Sequence, residues 1–272
     1  MGLKRFSIDD DLYPFFCENG FVVVTGLFES QALTEARHDL FRLFQERLKD
    51  CNPNGLEGIE LLTHFYDNEK ACWRQAARRM YDLVSVYRLA AQPRLSWLLR
   101  RLGLRSPLID SRPEVRTDMP HDRQYIQPWH QDWRYGQSSL NSVTIWTALH
   151  DVTVANGTID VMPGTHRFGY LACDELTNPR RFVILDPRID EIPFTSAELT
   201  LGEAVIFSQF TVHRSGYNAS DDPRLRCSYD SVTLKSRNSS PTTCKRHPAT
   251  PTCCGPNRRM KQRSGRCLQS AD

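Results

Sequence analysis

Apolar and polar positions follow two periods along this chain, and the change between them falls near Ser106. Before that point, apolar residues recur at helical spacing in a segment capped by Ser30 and in a longer region, 67–102. Pro93 is expected to interrupt the second helical region. Ahead of both, the β-branched run at 21–25 predicts a strand.

The part of the chain after Ser106 is rich in short strands separated by Gly, Pro and Asn. Strands are predicted at 143–149, 158–162, 182–185, 199–207 and 224–234. Helices followed by many short strands favour a mainly β barrel or sandwich, with the helices packed outside one sheet. The proline-containing stretch 167–195 looks too irregular for a hairpin. Together with 112–126, it is expected to form a lid that selects the substrate.

Three potential metal ligands lie in this strand-rich part. His130 and Asp132 are two positions apart, so in an extended strand their side chains face the same way while Gln131 points away. His213 follows the apolar run 204–207 and offers a ligand from a second strand. Two imidazoles and one carboxylate on one face of the metal are the ligand set of non-haem Fe(II) oxygenases. The alternatives are a surface pair on an edge strand and a core histidine.

A candidate anion-binding residue, Arg224, lies eleven positions after His213. The intervening stretch 218–223 is made of turn-forming residues, so the chain is expected to reverse there and bring Arg224 back towards the metal. A guanidinium group can bind a carboxylate through two hydrogen bonds, which suggests an organic acid that chelates the iron. Arg226 is the rival candidate because alternate strand residues share a face.

Four motifs in order resemble the phytanoyl-CoA dioxygenase family of Fe(II)/2-oxoglutarate oxygenases. They are His130-Gln131-Asp132, the strand 145–149, the segment 156–166 that ends Pro-Gly-Thr-His, and His213-Arg214-Ser215-Gly216 with Arg224. The segment 18–28 is also similar to the family's opening strand, so the resemblance extends from about residue 10 to about residue 234. It implies a double-stranded β-helix, which is a cupin-like jelly-roll barrel.

The same resemblance implies a site. Fe(II) would be bound by His130, Asp132 and His213, with 2-oxoglutarate and O2 as cosubstrates. Arg224 and Ser215 would hold the distal carboxylate of 2-oxoglutarate, and Trp146 would line that pocket. Gln127 is a further candidate to approach the cosubstrate. No catalytic residue beyond the metal ligands is expected.

The expected reaction is oxidation of an unactivated C–H bond in a small organic molecule, with release of succinate and CO2. Asp132 favours hydroxylation or a related oxidation, because related halogenases replace this carboxylate with a small residue. Desaturation, ring closure and epoxidation stay open, and a substrate from secondary metabolism is favoured. The alternatives are a catalytically inactive member that only binds a metal or ligand, a metal-dependent isomerase or epimerase, and a protein hydroxylase.

Net charge differs between the two parts of the chain that meet at residue 234. Residues 235–272 contain nine Lys or Arg and one acidic residue, a net charge of +8, so the total of +3 leaves −5 for residues 1–234. We expect 1–234 to form the dioxygenase domain with its N-terminal helices. The basic tail 235–272, rich in Cys, Pro and Ser, is expected to stay disordered. Its cysteines lack the paired Cys-x-x-Cys spacing of zinc sites.

The cysteine count, the length of apolar runs and the net charge indicate where the protein is located and which partners it binds. Nine cysteines are an odd number for a complete disulfide framework, which favours reduced thiols in a cytoplasmic enzyme. No apolar run reaches the roughly 18 residues of a membrane span, so no membrane partner is expected. The body is mildly acidic, and nucleic acid is not expected as a partner. The expected partner is a small-molecule substrate.

Overall fold

The computed structural model describes residues 3–47, 55–109, 112–137, 139–177 and 180–233. The predicted tail, 235–272, lies outside these residues, so the division of the chain at residue 234 stays a prediction. Within the described ranges, Cys17, Cys72 and Cys173 are free thiols. No helix in those ranges combines the length and apolar character that a membrane crossing requires.

Helices dominate the first hundred residues and strands the rest of the described chain. The α-helices are α1 Tyr13–Asn19, α2 Ser30–Arg47, α3 Gly58–Asn68, α4 Lys70–Arg79, α5 Val84–Ala90, α6 Pro93–Arg101 and α7 Trp133–Gly136. The strands are β1 Arg5–Ser7, β2 Phe21–Thr25, β3 Pro107–Ile109, β4 Glu114–Asp118, β5 Ser142–Ala148, β6 Ile159–Val161, β7 Cys173–Thr177, β8 Arg180–Ile184, β9 Thr195–Ala197, β10 Ala204–Ser208, β11 His213–Ser215 and β12 Arg224–Thr233. Short 3-10 turns span Met80–Asp82, Thr165–Phe168 and Pro187–Glu191.

Two sheets form the barrel. The larger has the order β1-β2-β10-β5-β12-β3, with β4 also paired to β12, and the smaller has the order β11-β6-β9. Inward-facing residues of the larger sheet, including Val23, Trp146 and Phe207, share a core with Ile159 and Val161 of the smaller sheet. Two mainly antiparallel sheets with a shared interior form the predicted jelly roll.

The outer face of the larger sheet is covered by helices. Val22, Val24 and Ile206 alternate with inward-facing residues, because successive strand side chains point to opposite faces. They belong to one buried core with apolar residues of α2, α3, α5 and α6. The helices therefore pack outside one barrel sheet, as the sequence predicted.

Helix boundaries differ from the sequence predictions. The first long helix begins at Ser30 itself, so Ser30 is the first helical residue and not a cap that precedes it. The region predicted at 67–102 consists of several short helices, and the helical part already begins at Gly58. Pro93 occupies the first turn of α6. Its missing N–H has no helical partner there, so this proline starts a helix.

The two stretches predicted to form a lid contain regular strands. The interpretation of 167–195 as too irregular for a hairpin is wrong, because β7 and β8 pair antiparallel with Cys173 opposite Ile184. The prolines in this stretch fall between or after the two strands, so none removes a hydrogen bond from their ladder. Residues 112–126 contribute β4, which pairs with β12 in the larger sheet.

The turn 164–167 attaches the N-terminal helix to the barrel. The last carbonyls of α1 accept hydrogen bonds from it: Asn19 from the Gly164 N–H at 2.7 Å, Glu18 from Arg167 at 2.8 Å and Cys17 from His166 Nε2 at 3.1 Å. The carbonyls that a helix end leaves unpaired are thus satisfied. On its other side, the turn accepts a hydrogen bond at Thr165 Oγ1 from the Val212 N–H at 2.9 Å. The N-terminal helix is therefore connected to the strand that carries His213.

His166, which lies in this turn, should make the stability of the protein depend on pH. Burial lowers the pKa of His166 to about 4, from the ordinary value of 6.5. Between these values the unfolded chain binds the proton more readily, so the stabilisation is complete above pH 6.5 and is lost as the pH falls through 4. We expect a loss of about 3 kcal/mol over that range. Urea unfolding at a series of pH values measures it.

The matched control for this titration is His166→Asn, which removes the ionisable group and keeps a side-chain N–H. Its free energy of unfolding should fall less steeply between pH 6.5 and pH 4 than that of the unmodified chain. Identical slopes for the two proteins would contradict the prediction.

Candidate metal and cosubstrate site

The three predicted metal ligands lie together inside the barrel. Ligand atoms of His130, Asp132 and His213 are all within 4.8 Å of one another. Asp132 Oδ1 lies 3.2 Å from His130 Nε2 and 3.3 Å from His213 Nε2. Both imidazoles are buried and the carboxylate is partly buried. One small volume therefore contains two nitrogen donors and one oxygen donor.

The backbone that carries this group differs from the strand expected at 130–132. His130 forms a single bridge to His213, with N–H to carbonyl distances of 2.9 and 3.1 Å in the two directions. Asp132 is already helical, with φ −67° and ψ −26°, and precedes α7. The two side chains converge across a turn, and the same-face relation of a regular strand is not needed.

Gln131 stabilises this turn. Its buried side chain points away from the ligands, as predicted, and bonds three backbone groups: Nε2 donates to the carbonyls of Gly169 at 2.8 Å and Phe210 at 2.7 Å, and Oε1 accepts from the Leu171 N–H at 2.9 Å. All its bonds reach segments distant in sequence. Gln131 thus fixes the turn between the two ligands to the body of the barrel.

Both imidazoles are held by their second nitrogen. His130 Nδ1 lies 2.8 Å from the carbonyl of Pro128, and His213 Nδ1 lies 3.0 Å from the carbonyl of Thr211. A carbonyl can only accept, so each Nδ1 donates, and Nε2 is the ring nitrogen that faces Asp132. Such backbone contacts fix the tautomer and ring orientation of metal-binding histidines.

The electrostatics of the cluster place its negative charge on Asp132. Burial lowers the pKa of His130, and the neighbouring His213 lowers it further. Burial also opposes charge on His213, but Asp132 outweighs it and raises that pKa. The pKa of Asp132 lies well below its ordinary value, because its contacts with both histidines outweigh burial. Its second oxygen accepts a hydrogen bond from Thr144 Oγ1 at 2.7 Å.

A cavity of about 490 Å³ opens beside the three ligands. The four residues predicted to contact the cosubstrate, Gln127, Trp146, Ser215 and Arg224, all line it. They come from both sheets and from the loop before His130. The structure therefore brings every predicted site residue to one cavity.

Arg224 has the environment of a buried anion receptor. Its side chain is 2% exposed, and Nη2 lies 2.6 Å from Asp118 Oδ2. The guanidinium carbon lies 5.7 Å from the centre of the Trp146 ring. Within the described residues, nothing accepts a hydrogen bond from its Nε. A buried donor without a partner is costly, so a carboxylate bound there would satisfy it.

The rival arginine has its donors engaged. Arg226 lines the same cavity, but its two terminal nitrogens donate to Glu114 Oε2 at 3.1 Å and to Ser228 Oγ. Its guanidinium carbon lies 5.9 Å from the ring centre of Trp146. The unfilled donor of Arg224 favours it over Arg226 as the residue that receives a carboxylate.

Three site residues were not selected from the sequence. Thr144 lies two positions before Trp146 in β5, so the alternation of strand side chains could have placed it in the cavity. Arg116 and Asp118 alternate in the same way in β4, where Asp118 is directly opposite Arg224. The interpretation of 112–126 as a lid concealed this second signal.

The segment 156–166 and the segment His213-Arg214-Ser215-Gly216 are in contact at Gly216. Its N–H donates to the Thr158 carbonyl at 2.6 Å, and an added Cβ would lie 2.5 Å from that oxygen. Gly216→Ala must therefore separate the two segments and shift Ser215. We expect a loss of roughly 1–3 kcal/mol of stability, as for other overpacked sites. Thermal unfolding measures it.

The comparison for Gly216→Ala is Gly26→Ala. Gly26 has a φ of 66°, and no atom lies within 4 Å of the position of its Cβ. That variant suffers backbone strain without a collision. A loss for Gly216→Ala no greater than that for Gly26→Ala would show that the contact with Thr158 does not constrain the fold.

The chain matches a known protein family over most of its length. The profile of the phytanoyl-CoA dioxygenase (PhyH) family matches residues 16–225. The peroxisomal phytanoyl-CoA dioxygenase of Bos taurus is 24% identical over 216 residues, which cover 76% of this chain and 63% of that protein. The matched part therefore spans less than two thirds of the length of that relative.

Solved structures with the same fold include two that were determined with an organic ligand. The epimerase SnoN in complex with Fe3+, alpha ketoglutarate and nogalamycin RO has a TM-score of 0.56 and 21% identity, covering 82% of both chains. EctD from S. alaskensis with 2-oxoglutarate and 5-hydroxyectoine has a TM-score of 0.55 and 17% identity, covering 80% of this chain and 73% of that one. The predicted jelly-roll fold is confirmed.

Proposed function

The chain belongs to the phytanoyl-CoA dioxygenase family, and from that membership we propose that it is an Fe(II)/2-oxoglutarate-dependent oxygenase. The observation that carries the proposal is the convergence of His130, Asp132 and His213 within 4.8 Å, beside a cavity that also contains Arg224. A metal-binding group and an anion-binding group in one cavity are what an iron-chelating dicarboxylate requires.

The residues present fit such a metal. Two imidazole nitrogens and one carboxylate oxygen suit Fe(II), and all three lie within 4.8 Å of one another. His130 and His213 have the tautomer that leaves Nε2 free for a metal. When bound, iron supplies the redox chemistry that couples decarboxylation of 2-oxoglutarate to oxidation of a substrate by O2.

The protein's own residues bind and orient the reactants. Arg224 compensates the charge of the distal carboxylate of 2-oxoglutarate, and the Ser215 hydroxyl donates a second hydrogen bond to it. Trp146 lines the same cavity, with its ring centre 5.7 Å from the guanidinium carbon of Arg224. Thr144 holds one oxygen of Asp132, so the other faces the histidines.

The substrate that we propose is a small organic molecule from secondary metabolism. The cavity has the size of an ordinary small-molecule site. Two relatives in fold were solved with small molecules, nogalamycin RO for SnoN and 5-hydroxyectoine for EctD. Asp132 supplies a carboxylate ligand, which favours hydroxylation of a C–H bond as the reaction.

A second candidate is epimerisation. It is favoured by the similarity in fold to SnoN, an epimerase solved with iron and alpha ketoglutarate. Mass spectrometry of the product separates the two reactions, because hydroxylation adds one oxygen atom whereas epimerisation leaves the mass unchanged.

The first experiment is anaerobic addition of Fe(II) and 2-oxoglutarate. The weak visible charge-transfer band of the iron–2-oxoglutarate chelate should appear in the unmodified protein and be absent in His213→Ala. Succinate should form when O2 is admitted. A folded, metal-loaded protein without the band would reject the oxygenase and favour a protein that only binds a metal or ligand.

A further inference from the structure

We propose that Asp118 is a positioning residue that holds Arg224 in the orientation in which it binds the distal carboxylate of 2-oxoglutarate. The inference rests on the proposed function and adds to it a residue that is neither one of the three candidate metal ligands nor part of the cavity lining.

The first support is the geometry of a partly buried carboxylate shared by two arginines. Asp118 Oδ2 lies 2.6 Å from Arg224 Nη2, and Asp118 Oδ1 lies 2.7 Å from Arg116 Nη2. The side chain of Asp118 is 17% exposed and that of Arg116 is 13% exposed. Because β4 and β12 pair with Asp118 opposite Arg224, the contact is built into the register of the sheet.

The second support is the backbone of Asp118. Its carbonyl accepts a hydrogen bond from Asn218 Nδ2 at 2.9 Å, and the same amide nitrogen donates to the Asp222 carbonyl at 2.8 Å. Asn218 thus connects the end of β4 to the turn that leads into Arg224. Both the side chain and the backbone of Asp118 therefore fix the start of β12.

The balance of charge around the Asp118–Arg224 ion pair explains why this pair assists anion binding and does not abolish it. Three guanidinium groups of the cavity lining, of Arg116, Arg224 and Arg226, form ion pairs with two carboxylates, Glu114 in the lining and Asp118 outside it. This group of five side chains has one positive charge in excess, which suits a single incoming carboxylate. Burial would raise the pKa of Asp118, but Arg116 and Arg224 bring it well below its ordinary value. Asp118 therefore stays charged.

The contact also leaves donors available. Asp118 engages one terminal nitrogen of Arg224, and the Nε of Arg224 has no partner within the described residues. A long arginine side chain loses conformational freedom when it binds, and that loss is smaller if one nitrogen is already fixed. Without Asp118, the three neighbouring guanidinium groups would repel one another, and Arg224 would leave this orientation.

The test compares two 2-oxo acids. 2-Oxopentanoate carries a methyl group where 2-oxoglutarate has its distal carboxylate, so it chelates iron in the same way but offers nothing to Arg224. Both are titrated anaerobically into the Fe(II)-loaded full chain, with the visible band and the thermal shift as readouts. Asp118→Asn should weaken 2-oxoglutarate about tenfold, as for other residues that orient a ligand's partner. Binding of 2-oxopentanoate should not change.

Two further variants sharpen the test. In an Arg224→Met background, Asp118→Asn should cause no additional loss of 2-oxoglutarate affinity, because the residue that it positions is gone. Glu203→Gln removes another buried carboxylate, paired with Arg5 at 3.0 Å and absent from the cavity lining. Glu203→Gln should leave the affinities for both acids unchanged. It therefore shows whether a loss of stability alone can weaken binding of either acid.

The outcomes separate the hypotheses. Equal weakening of both acids by Asp118→Asn, or no weakening of either, would overturn the role of Asp118 while leaving the oxygenase intact. Additive losses in the double variant would overturn it as well. Absence of a band with either acid in the unmodified, metal-loaded protein would instead reject the proposed function, and this inference with it.

Discussion

Replacing Asp132 with alanine is expected to abolish tight binding of a divalent metal. Asp132 is the one carboxylate of the His–Asp–His cluster, and its Oδ1 lies within 3.3 Å of both imidazoles. Without it, two imidazoles are left to bind a dication in a buried space. Loss of an outer hydrogen-bond partner of a ligand already costs about 10–100-fold in metal affinity, so loss of the ligand should cost more than about 100-fold. Calorimetric titration with Mn(II) measures this affinity.

A graded control accompanies this variant. Thr144→Val keeps the carboxylate but removes the hydrogen bond to Asp132 Oδ2. It should lower metal affinity by about tenfold, between the unmodified protein and Asp132→Ala. Circular dichroism should show that both variants fold. Metal affinity close to that of the unmodified protein in Asp132→Ala would exclude this cluster as the metal site.

Replacing Arg224 with methionine is expected to remove recognition of the distal carboxylate. Methionine keeps much of the length and apolar character of the side chain while it loses the charge. Two charge-assisted hydrogen bonds are worth about 3 kcal/mol together, so the dissociation constant for 2-oxoglutarate should rise about 100-fold. Anaerobic titration of the Fe(II)-loaded protein, followed by the visible band, gives that constant.

The matched variant is Arg226→Met, two positions along the same strand. The donors of Arg226 are used by Glu114 and Ser228, so its loss should affect 2-oxoglutarate affinity much less. Metal affinity should be unchanged in both variants. A larger effect for Arg226→Met than for Arg224→Met would reverse the assignment of the two arginines.

The convergence of His130, Asp132 and His213 could be predicted from the sequence, whereas the local path of the chain could not. The i, i+2 spacing of His130 and Asp132 suited a strand, yet the structure brings the two side chains together across a turn. The long-range bonds of Gln131 create that turn. No local pattern in the sequence could reveal bonds to segments about 40 and 80 residues away.

The same limit explains why β4 was missed. Its sequence, Glu-Val-Arg-Thr-Asp, has a single apolar residue and resembles an exposed loop. It becomes a strand because it pairs with β12, more than a hundred residues later, where Asp118 forms an ion pair with Arg224. Strand β2 was predicted at its observed bounds because its own apolar, β-branched residues indicate a buried strand, without reference to the strands that pair with it.

The topology of the larger sheet has a consequence for synthesis of the protein. One neighbour of β2 in this sheet is the adjacent β1, but the other is β10, in which Ala204 pairs with Val24, and β5 lies between β10 and β12. A nascent chain that has not yet emerged beyond residue 208 thus exposes the apolar edges of β2 and β5. Pairing between such distant segments is slow and leaves partial chains prone to aggregate. Translation must therefore pass β10 and His213 before the three ligands of the proposed metal site can come together, and premature stops in β12 should yield insoluble fragments.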